Sequence, residues 1–538
     1  MSSRPRGRRR LRLALLAATL LIAGVAAAFF LLARDADVSN PDVAFDAAPP
    51  TVSSAPAAAK APARGRHPFD DGFSWPVYGL TKARTRYLPT ATPLRPPFVM
   101  RWARTGRILL EFSPVACRRS LYLLKNNGAL YALSRQTGRV LWKRKLGALA
   151  ASSPACGHGT VYALLLTRGK GTKGGRISAL SAHDGHTRWS RKLPSRAESS
   201  PLLSDGRLYF GTEDGTVYAL RASNGAVRWR FKAGGAVKAG LAEADGKLFF
   251  GAYGGKVHAI RKRDGTKVWT KEAGGGRLGI GRGNVYATAA VAYGRVYVGS
   301  TNGDVLSFSA RDGQLAWRHR TGSFVYSSPA VSPVNGGTVY AGSYDGKLYA
   351  FDARSGKVRW ARNSGGKISG GPTVVGDLVF YANLSRRSTA AVGAANGKLV
   401  WKIGRGGFNP VISDGRRIYL NGYSSLFMLT TQRQARADER ARAAYRRGRR
   451  AGKAPGGTTV RPRRSTSARP AKPKRPARRR TRRRNHNTPA HRAKLHGHHH
   501  SGHGDPPRCH RHRHVIRRGK RTIVYRHTHC HRHVPRRR

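Results

Sequence analysis

The stretch richest in reactive side chains is CHRHRHVIRRGKRTIVYRHTHCHRH, residues 509–533. It folds naturally about Gly519-Lys520, because a type II′ hairpin turn takes Gly at its first central position. Cys509 then faces Cys530, His510 faces His529, His512 faces His527, Val515 faces Val524 and Ile516 faces Ile523. Strand alternation puts His510, His512, His514, His527 and His529 on one face and the cysteine pair on the other. Such an imidazole face suits Zn²⁺, Cu²⁺ or Ni²⁺, although the spacing matches no zinc-finger pattern. The competing reading is a polycation whose charge rises below about pH 6.5. Other candidates are sparse: Cys117, Cys156, Glu198 and Lys238.

The elements that position these residues are set by a repeat. Trp142, Trp189, Trp229, Trp269, Trp317, Trp360 and Trp401 each follow a Gly by four residues, at Gly138, Gly185, Gly225, Gly265, Gly313, Gly356 and Gly397. Thr, Asp, Asn or Ser precedes each Gly, the chemistry of a tight turn. Upstream runs such as VYALRA alternate with a period of two, as a half-buried strand does. One full period, SSPLLSDGRLYFGTEDGTVYALRASNGAVRWRF, divides into four strands: PLLS, RLYFGT, TVYALRA and AVRWRF. A lone four-stranded meander cannot bury both faces. Copies packed face to face around an axis can, so the spacing predicts a β-propeller.

Blade number follows from the ends. PPFVMRWARTG carries Trp102 forty residues before Trp142, with no strands of its own ahead of it. PVISDGRRIYLNGYSSLFMLTTQ supplies three strands and no Trp. Together they make one more blade, closed 3+1 from both termini. The expectation is an all-β fold of eight four-stranded antiparallel blades over residues 67–432, with seven blades as the alternative. Trp102 and the seven repeat tryptophans are expected between blades, as structure and not as chemistry.

The pattern Ala-Leu-x-x-x-[Thr/Asp/Asn/Ser]-Gly-x-x-x-Trp, written here as ALSRQTGRVLW, ALSAHDGHTRW, ALRASNGAVRW and AFDARSGKVRW, resembles the pyrroloquinoline-quinone (PQQ)-type propeller repeat. The resemblance covers about residues 98–430. It implies one of two branches. Quinoprotein dehydrogenases form one; non-enzymatic propellers, such as the lipoprotein of the outer-membrane β-barrel assembly machinery, form the other. Many enzymes of the first branch stack the quinone on a disulfide of adjacent cysteines and bind Ca²⁺ through Glu, Asn and Asp. The four cysteines here include no adjacent pair. Half of the 18 acids in residues 67–432 directly precede a Gly and read as turn residues. The expectation is therefore the non-enzymatic branch, with no cofactor and no PQQ, and with quinoprotein oxidoreductase as the alternative.

Within the repeat, Cys117 and Cys156 occupy similar places in consecutive periods. They form either a bridge between two blades or two buried thiols; Cys509 and Cys530 are a second candidate pair. Glu198 and Lys238 lie where one blade passes to the next, a position that approaches a propeller's axis. There they make inter-blade bonds or a polar ring that grips a ligand. The loop TRGKGTKGGR, residues 167–176, is either a polyanion contact or solvated.

The flanks suggest location. Residues 13–33 carry no charge and span about 30 Å as a helix, one bilayer core. Six arginines precede them, so the N-terminus, residues 1–12, is expected in the cytoplasm and the rest outside. Residues 34–66 read as a flexible Ala/Pro linker. Residues 433–508 read as a disordered Arg/Pro/His-rich tail opening in a short basic helix, followed by the hairpin of residues 509–533. Lys and Arg number 101 against 25 acids, a field that attracts polyanions. The reading is a single-pass, membrane-anchored, extracytoplasmic scaffold of the cell envelope. An envelope protein and an anionic wall polymer are its expected partners, and nothing points to specific nucleic-acid recognition. Metal binding through the tail is the second alternative.

Overall fold

Trp189 in one repeat and Gly225 in the next explain why the pattern recurs. A computed structural model describes Thr19, residues 37–47, Phe69, residues 71–169, Gly171, residues 174–274 and 283–451, and the backbone of residues 508–518 and 521–531. In it the indole of Trp189 lies under the turn of the following blade. Its Nε1–H donates to the Ala222 carbonyl at 2.9 Å. A Cβ on Gly225 would stand 2.6 Å from the ring, and Gly225 has φ +71°. Only glycine meets both demands. The same contact joins Trp102 to Gly138, Trp142 to Gly185, Trp229 to Gly265, Trp269 to Gly313, Trp317 to Gly356 and Trp360 to Gly397. The alanine of Ala-Leu faces the Trp across the sheet, as Ala219 faces Trp229. A small side chain there leaves the ring room.

These contacts chain eight sheets into a ring. Blades 1 to 7 occupy residues 115–145, 155–192, 202–232, 242–272, 290–320, 330–363 and 373–403. Blade 8 consists of Val411–Ser413, Arg417–Asn421 and Leu426–Thr431, completed by Phe98–Arg104. The 3+1 closure is thus present, and the strands of blade 3 match the sequence division to within two residues. Trp401 meets no turn glycine, because the outer strand of blade 8 arrives from the N-terminus. It packs edge-on against Phe98 of that strand, 5.2 Å between centroids.

One flanking segment departs from expectation, and another docks on the ring. Part of the expected linker is bound: Val38–Ser39 adds a fifth strand to the outer edge of blade 5. Phe45 stacks on Tyr293 at 5.0 Å, and Arg295 donates to the carbonyls of Val43 and Ala44. The exposed edge of an outer strand offers unpaired main-chain groups, and this segment takes them. The basic helix expected at the start of the tail is present as Gln432–Ala451, and it docks on the ring. Asp438 on it receives both Arg417 Nε and Nη2, at 2.8 and 2.6 Å.

The chain divides into two units, residues 1–457 and 458–538. In the second, Arg508–Arg518 pairs antiparallel with Arg521–His531. The register sets Cys509 opposite Cys530, His510 opposite His529 and His512 opposite His527. Among the described residues no helix is long and apolar enough to cross a membrane. The span expected over residues 13–33 lies outside the described residues.

Two measurements check this account. Gly225→Ala should cost roughly 1–3 kcal/mol more than Gly206→Ala in urea unfolding. Both glycines have positive φ, but only Gly225 has an indole above it; a Cβ on Gly206 meets nothing within 4 Å. His258 supplies a pH test. Burial, with Lys256 nearby, lowers its pKa from 6.5 to about 4. The unfolded chain takes up that proton first, so stability falls as pH drops from 6.5 towards 4. The loss is about 3 kcal/mol for this group, and His258→Gln should flatten that stretch of the profile.

Candidate functional site

In a propeller the innermost strands converge on an axis and leave their inner main-chain edges unpaired. Here residues 73–90, FSWPVYGLTKARTRYLPT, lie across that axis and pair with them. Ser74–Trp75 joins the inner strand of blade 1 antiparallel, and Tyr87–Leu88 joins that of blade 7 in parallel. Between these strands, the amides of Cys156, Glu243, Val291, Val331 and Val374 donate to the carbonyls of Pro76, Lys82, Ala83, Thr85 and Arg86 at 2.8–2.9 Å. Blade 3 is reached by Lys82 Nζ, 3.0 Å from Asp205. Blade 8 is reached by the Tyr78 hydroxyl, which donates to Asn409 Oδ1 at 3.0 Å. This segment therefore plugs the ring and touches all eight blades. Phe73 and Trp75 anchor it in the core.

Above the plug remains a cavity of about 40 Å³. Tyr78 floors it. Glu111, Lys238, Tyr286, Tyr326 and Phe408 come from the blade-to-blade connections around it. Lys238 Nζ stands 3.1 Å from Glu198 Oε2 and 3.0 Å from Glu213 Oε1. Burial works against the ammonium, yet the two carboxylates hold its pKa above the ordinary lysine value. The Tyr286 hydroxyl donates to Glu198; burial, and then the Glu198 charge, push that phenol far up. Burial also raises the Glu111 carboxyl, opposed by a bond from Asn126 Nδ2 at 3.0 Å. Glu198 and Lys238 thus pair with each other beside the axis.

Around this mouth stand further aromatic rings, from these connections and from turns within blades. Phe324 is 49 % exposed. It packs with Tyr326 at 6.1 Å, and Tyr326 packs with Tyr344 at 5.0 Å and Tyr286 at 5.6 Å. Lys367 Nζ lies 5.4 Å from the Tyr344 ring. A second group pairs Phe408 with Tyr423, and Arg387 lies 4.1 Å over the latter. Tyr286 and Tyr326 hold equivalent places in consecutive connections, and Tyr253 and Tyr344 hold equivalent places in the turn between second and third strands; the Gly and Trp pattern that defines the blades does not single them out.

Towards the other end of the inner strands, Cys117 and Cys156 are joined as a disulfide between blades 1 and 2, Cα–Cα 6.3 Å. They border a hollow of about 510 Å³ with Lys82, His158 and Asp205. The resemblance's enzyme branch implies a quinone and Ca²⁺ at the axis. The axial cavity holds roughly one or two waters' volume, against ~300–1,000 Å³ for a typical ligand pocket. Among the described residues no group of three or more His, Cys, Asp or Glu is placed to hold a metal ion. The residues lining the axial cavity do not fit that pair.

A family model described as outer membrane protein assembly factor BamB matches residues 126–242 and 213–437. Among curated proteins none matches at the level of sequence. BamB from Moraxella catarrhalis is similar in structure, with TM-score 0.51 and 17 % identity over 63 % of this chain and 98 % of that one. So is the quinohemoprotein alcohol dehydrogenase ADHIIG from Pseudomonas putida HK5, with TM-score 0.57 and 14 % identity over 66 % and 80 %. A europium-containing methanol dehydrogenase gives TM-score 0.54 and 13 % identity over 66 % and 98 %. At these identities the likeness is one of fold. The family match, spanning more than half of the chain, and the eight-bladed ring of this repeat place the chain in the PQQ-repeat propeller family described as outer membrane protein assembly factor BamB.

Proposed function

We propose that this protein is a non-enzymatic binding scaffold of the cell envelope, anchored by residues 13–33 and docking a protein partner on the face around the axial mouth. The cluster of exposed Phe324 with half-buried Tyr326 and Tyr344, and Lys367 beside it, carries the reading. Exposed aromatic rings beside cationic groups have the composition of interface hot spots. The plug supports it, since the space at the axis is taken by the chain itself. The Cys117–Cys156 bridge supports an oxidising compartment, and the charge of 36 Lys/Arg against 3 acids in residues 433–538 supports a tail that holds an anionic polymer. In-cell crosslinking and affinity capture test the scaffold. The wild-type chain should retain a defined envelope protein, and Phe324→Ala with Tyr344→Ala should reduce its recovery at least tenfold. Unchanged recovery, or quinone-dependent oxidation of an alcohol by the purified protein, would count against the reading.

A second role is favoured by the register of the C-terminal hairpin. His510 opposite His529 and His512 opposite His527 put these residues and His514 on one face. Calorimetric titration of the full chain with Zn²⁺, Cu²⁺ or Ni²⁺ should show a site that vanishes when the five histidines become alanine. Equal uptake by both chains would remove this role.

A further inference from the structure

The outer strands are basic all round the ring. Together the eight hold 18 Lys/Arg and one acid, Glu272 of blade 4. Over much of the circumference this charge is met. Arg101 pairs with Glu439, Arg320 with Asp304 at 2.6 Å and Arg359 with Asp352, and Val38–Ser39 covers the edge of blade 5. Blades 1 to 3 differ. Their outer strands, Val140–Lys145, Thr187–Lys192 and Val227–Lys232, hold nine Lys/Arg and no acid. Of these nine, among the described residues, only Lys232 has a carboxylate partner, Asp214 at 3.3 Å.

Residues 115–232 hold 21 Lys/Arg and five acids, and those acids are engaged. Asp184 bonds to His186 in its own turn, Asp205 to Lys82 and Lys262, and Asp214 to Thr212, Thr216 and Lys232. Glu198 and Glu213 hold Lys238 at the axis. Arg144 donates to the carbonyls of Asp184 and Gly185, and Arg191 to that of Gly225. These bonds order the two guanidiniums without neutralising them. On blade 3, exposed Arg228, Arg230 and Lys232 alternate with half-buried Val227, Trp229 and Phe231, so cations recur roughly every 7 Å along the strand. Lys143 and Lys145 repeat that step on blade 1, and Arg188 and Lys192 are exposed two such steps apart on blade 2. The loop that begins at Thr167 bridges these two blades. Thr167 pairs with Leu149, and the Arg168 amide donates at 3.1 Å to Gly174, where a Cβ would meet the Leu193 carbonyl at 2.4 Å. Arg168 therefore stands where the ends of blades 1 and 2 meet.

We propose that the rim over blades 1 to 3 is a docking surface for a flexible, linear, phosphate-bearing polymer. Five of the nine cations are arginines, whose planar fork takes phosphate oxygens two at a time. Shape selects among polyanions. Three successive blades of an eight-bladed ring turn the rim through about 90°. A flat anionic bilayer meets one of these strands at a time. Duplex nucleic acid, with a persistence length of about 50 nm, is too stiff to follow the curve. A flexible chain lies along all three strands, and each added contact raises its avidity. This deepens the polymer-holding part of the proposed function: the ring, and not the tail alone, grips the anion.

The test uses the full chain, inorganic polyphosphate as the probe, and lysine acetylation read by mass spectrometry. Polyphosphate should slow acetylation of Lys143, Lys192 and Lys232 about fivefold or more and leave Lys357 and Lys398, on blades 6 and 7, unchanged. A variant with Lys143→Gln, Lys192→Gln, Arg228→Gln and Arg230→Gln should bind polyphosphate at least tenfold more weakly, with a flatter salt dependence. A charge-matched variant with Lys267→Gln, Lys271→Gln, Lys357→Gln and Lys398→Gln should lose less than threefold. All eight side chains are exposed, so both variants should unfold at the wild-type midpoint. Equal losses in the two variants would overturn the rim. Protection confined to Lys472 and Lys474 of the tail would overturn the rim and leave the tail's role standing, whereas no binding at all would remove both. Phosphatidylglycerol vesicles that protect the three rim lysines as well as polyphosphate does, at equal charge, would overturn the choice of a polymer. Partner capture through Phe324 and Tyr344 is scored separately, so either idea can fail without the other.

Discussion

The ring exists because its two ends are fastened to each other. Phe98–Arg104 completes the sheet begun by Leu426–Thr431, and a buried charge network fixes the joint. Arg135 of blade 1 contacts Asp71, ahead of the plug, at 2.9 Å and Asp414 of blade 8 at 2.7 Å. Arg417 contacts Asp414 at 2.9 Å and Asp438 of the C-terminal helix at 2.6 Å. Four segments meet in this one network: the stretch ahead of the plug, blade 1, blade 8 and the C-terminal helix. Burial acts to raise the Asp414 carboxyl, but the Arg417 and Arg135 guanidiniums hold it below the ordinary value. Ion pairs of this kind add little beyond an apolar joint of the same shape, yet losing one member leaves an uncompensated buried charge. The network therefore selects one closure over others more than it deepens the fold.

Everything at the axis depends on that closure. Between Asp71, held in the network, and the closing strand, the chain has room only to cross the ring. In crossing, it pairs the inner edges that eight converging sheets would otherwise leave open. The same path delivers Tyr78, Arg84 and Arg86 to the centre and leaves a small polar cavity in place of a channel. In the proposed function, recognition falls on the mouth, where Phe324 is exposed.

The blades were legible in the sequence because a single contact, indole under glycine, is made over and over and needs the same two residue types each time. The 3+1 closure was legible because Trp102 stood one period ahead of Trp142. The plug was not. Its bonds run from main-chain carbonyls to main-chain amides, and no side-chain pattern records them. Arg84 and Arg86 look ordinary in a chain with 101 basic residues; only burial sets them apart. Asp71 and Asp414, read as turn acids because Gly follows each, also pair with Arg135. The bound segment at Val38–Ser39, and the docking of the expected helix from Gln432, were hidden for a related reason. Composition sees Ala, Pro and Arg there, whereas docking depends on a few contacts such as Phe45 on Tyr293 and Arg417 on Asp438.

The central claim is that a partner meets the ring on the face around the mouth. Residue-level crosslink mapping of the full chain in its native envelope tests this most directly. Lys367 is exposed on that face, whereas Lys357 and Lys398 are exposed on turns at the opposite end of the blades. The account predicts protein crosslinks concentrated at Lys367 and rare at Lys357 and Lys398. Crosslinks gathered at Lys357 and Lys398, with Lys367 unmodified by any partner, would contradict it.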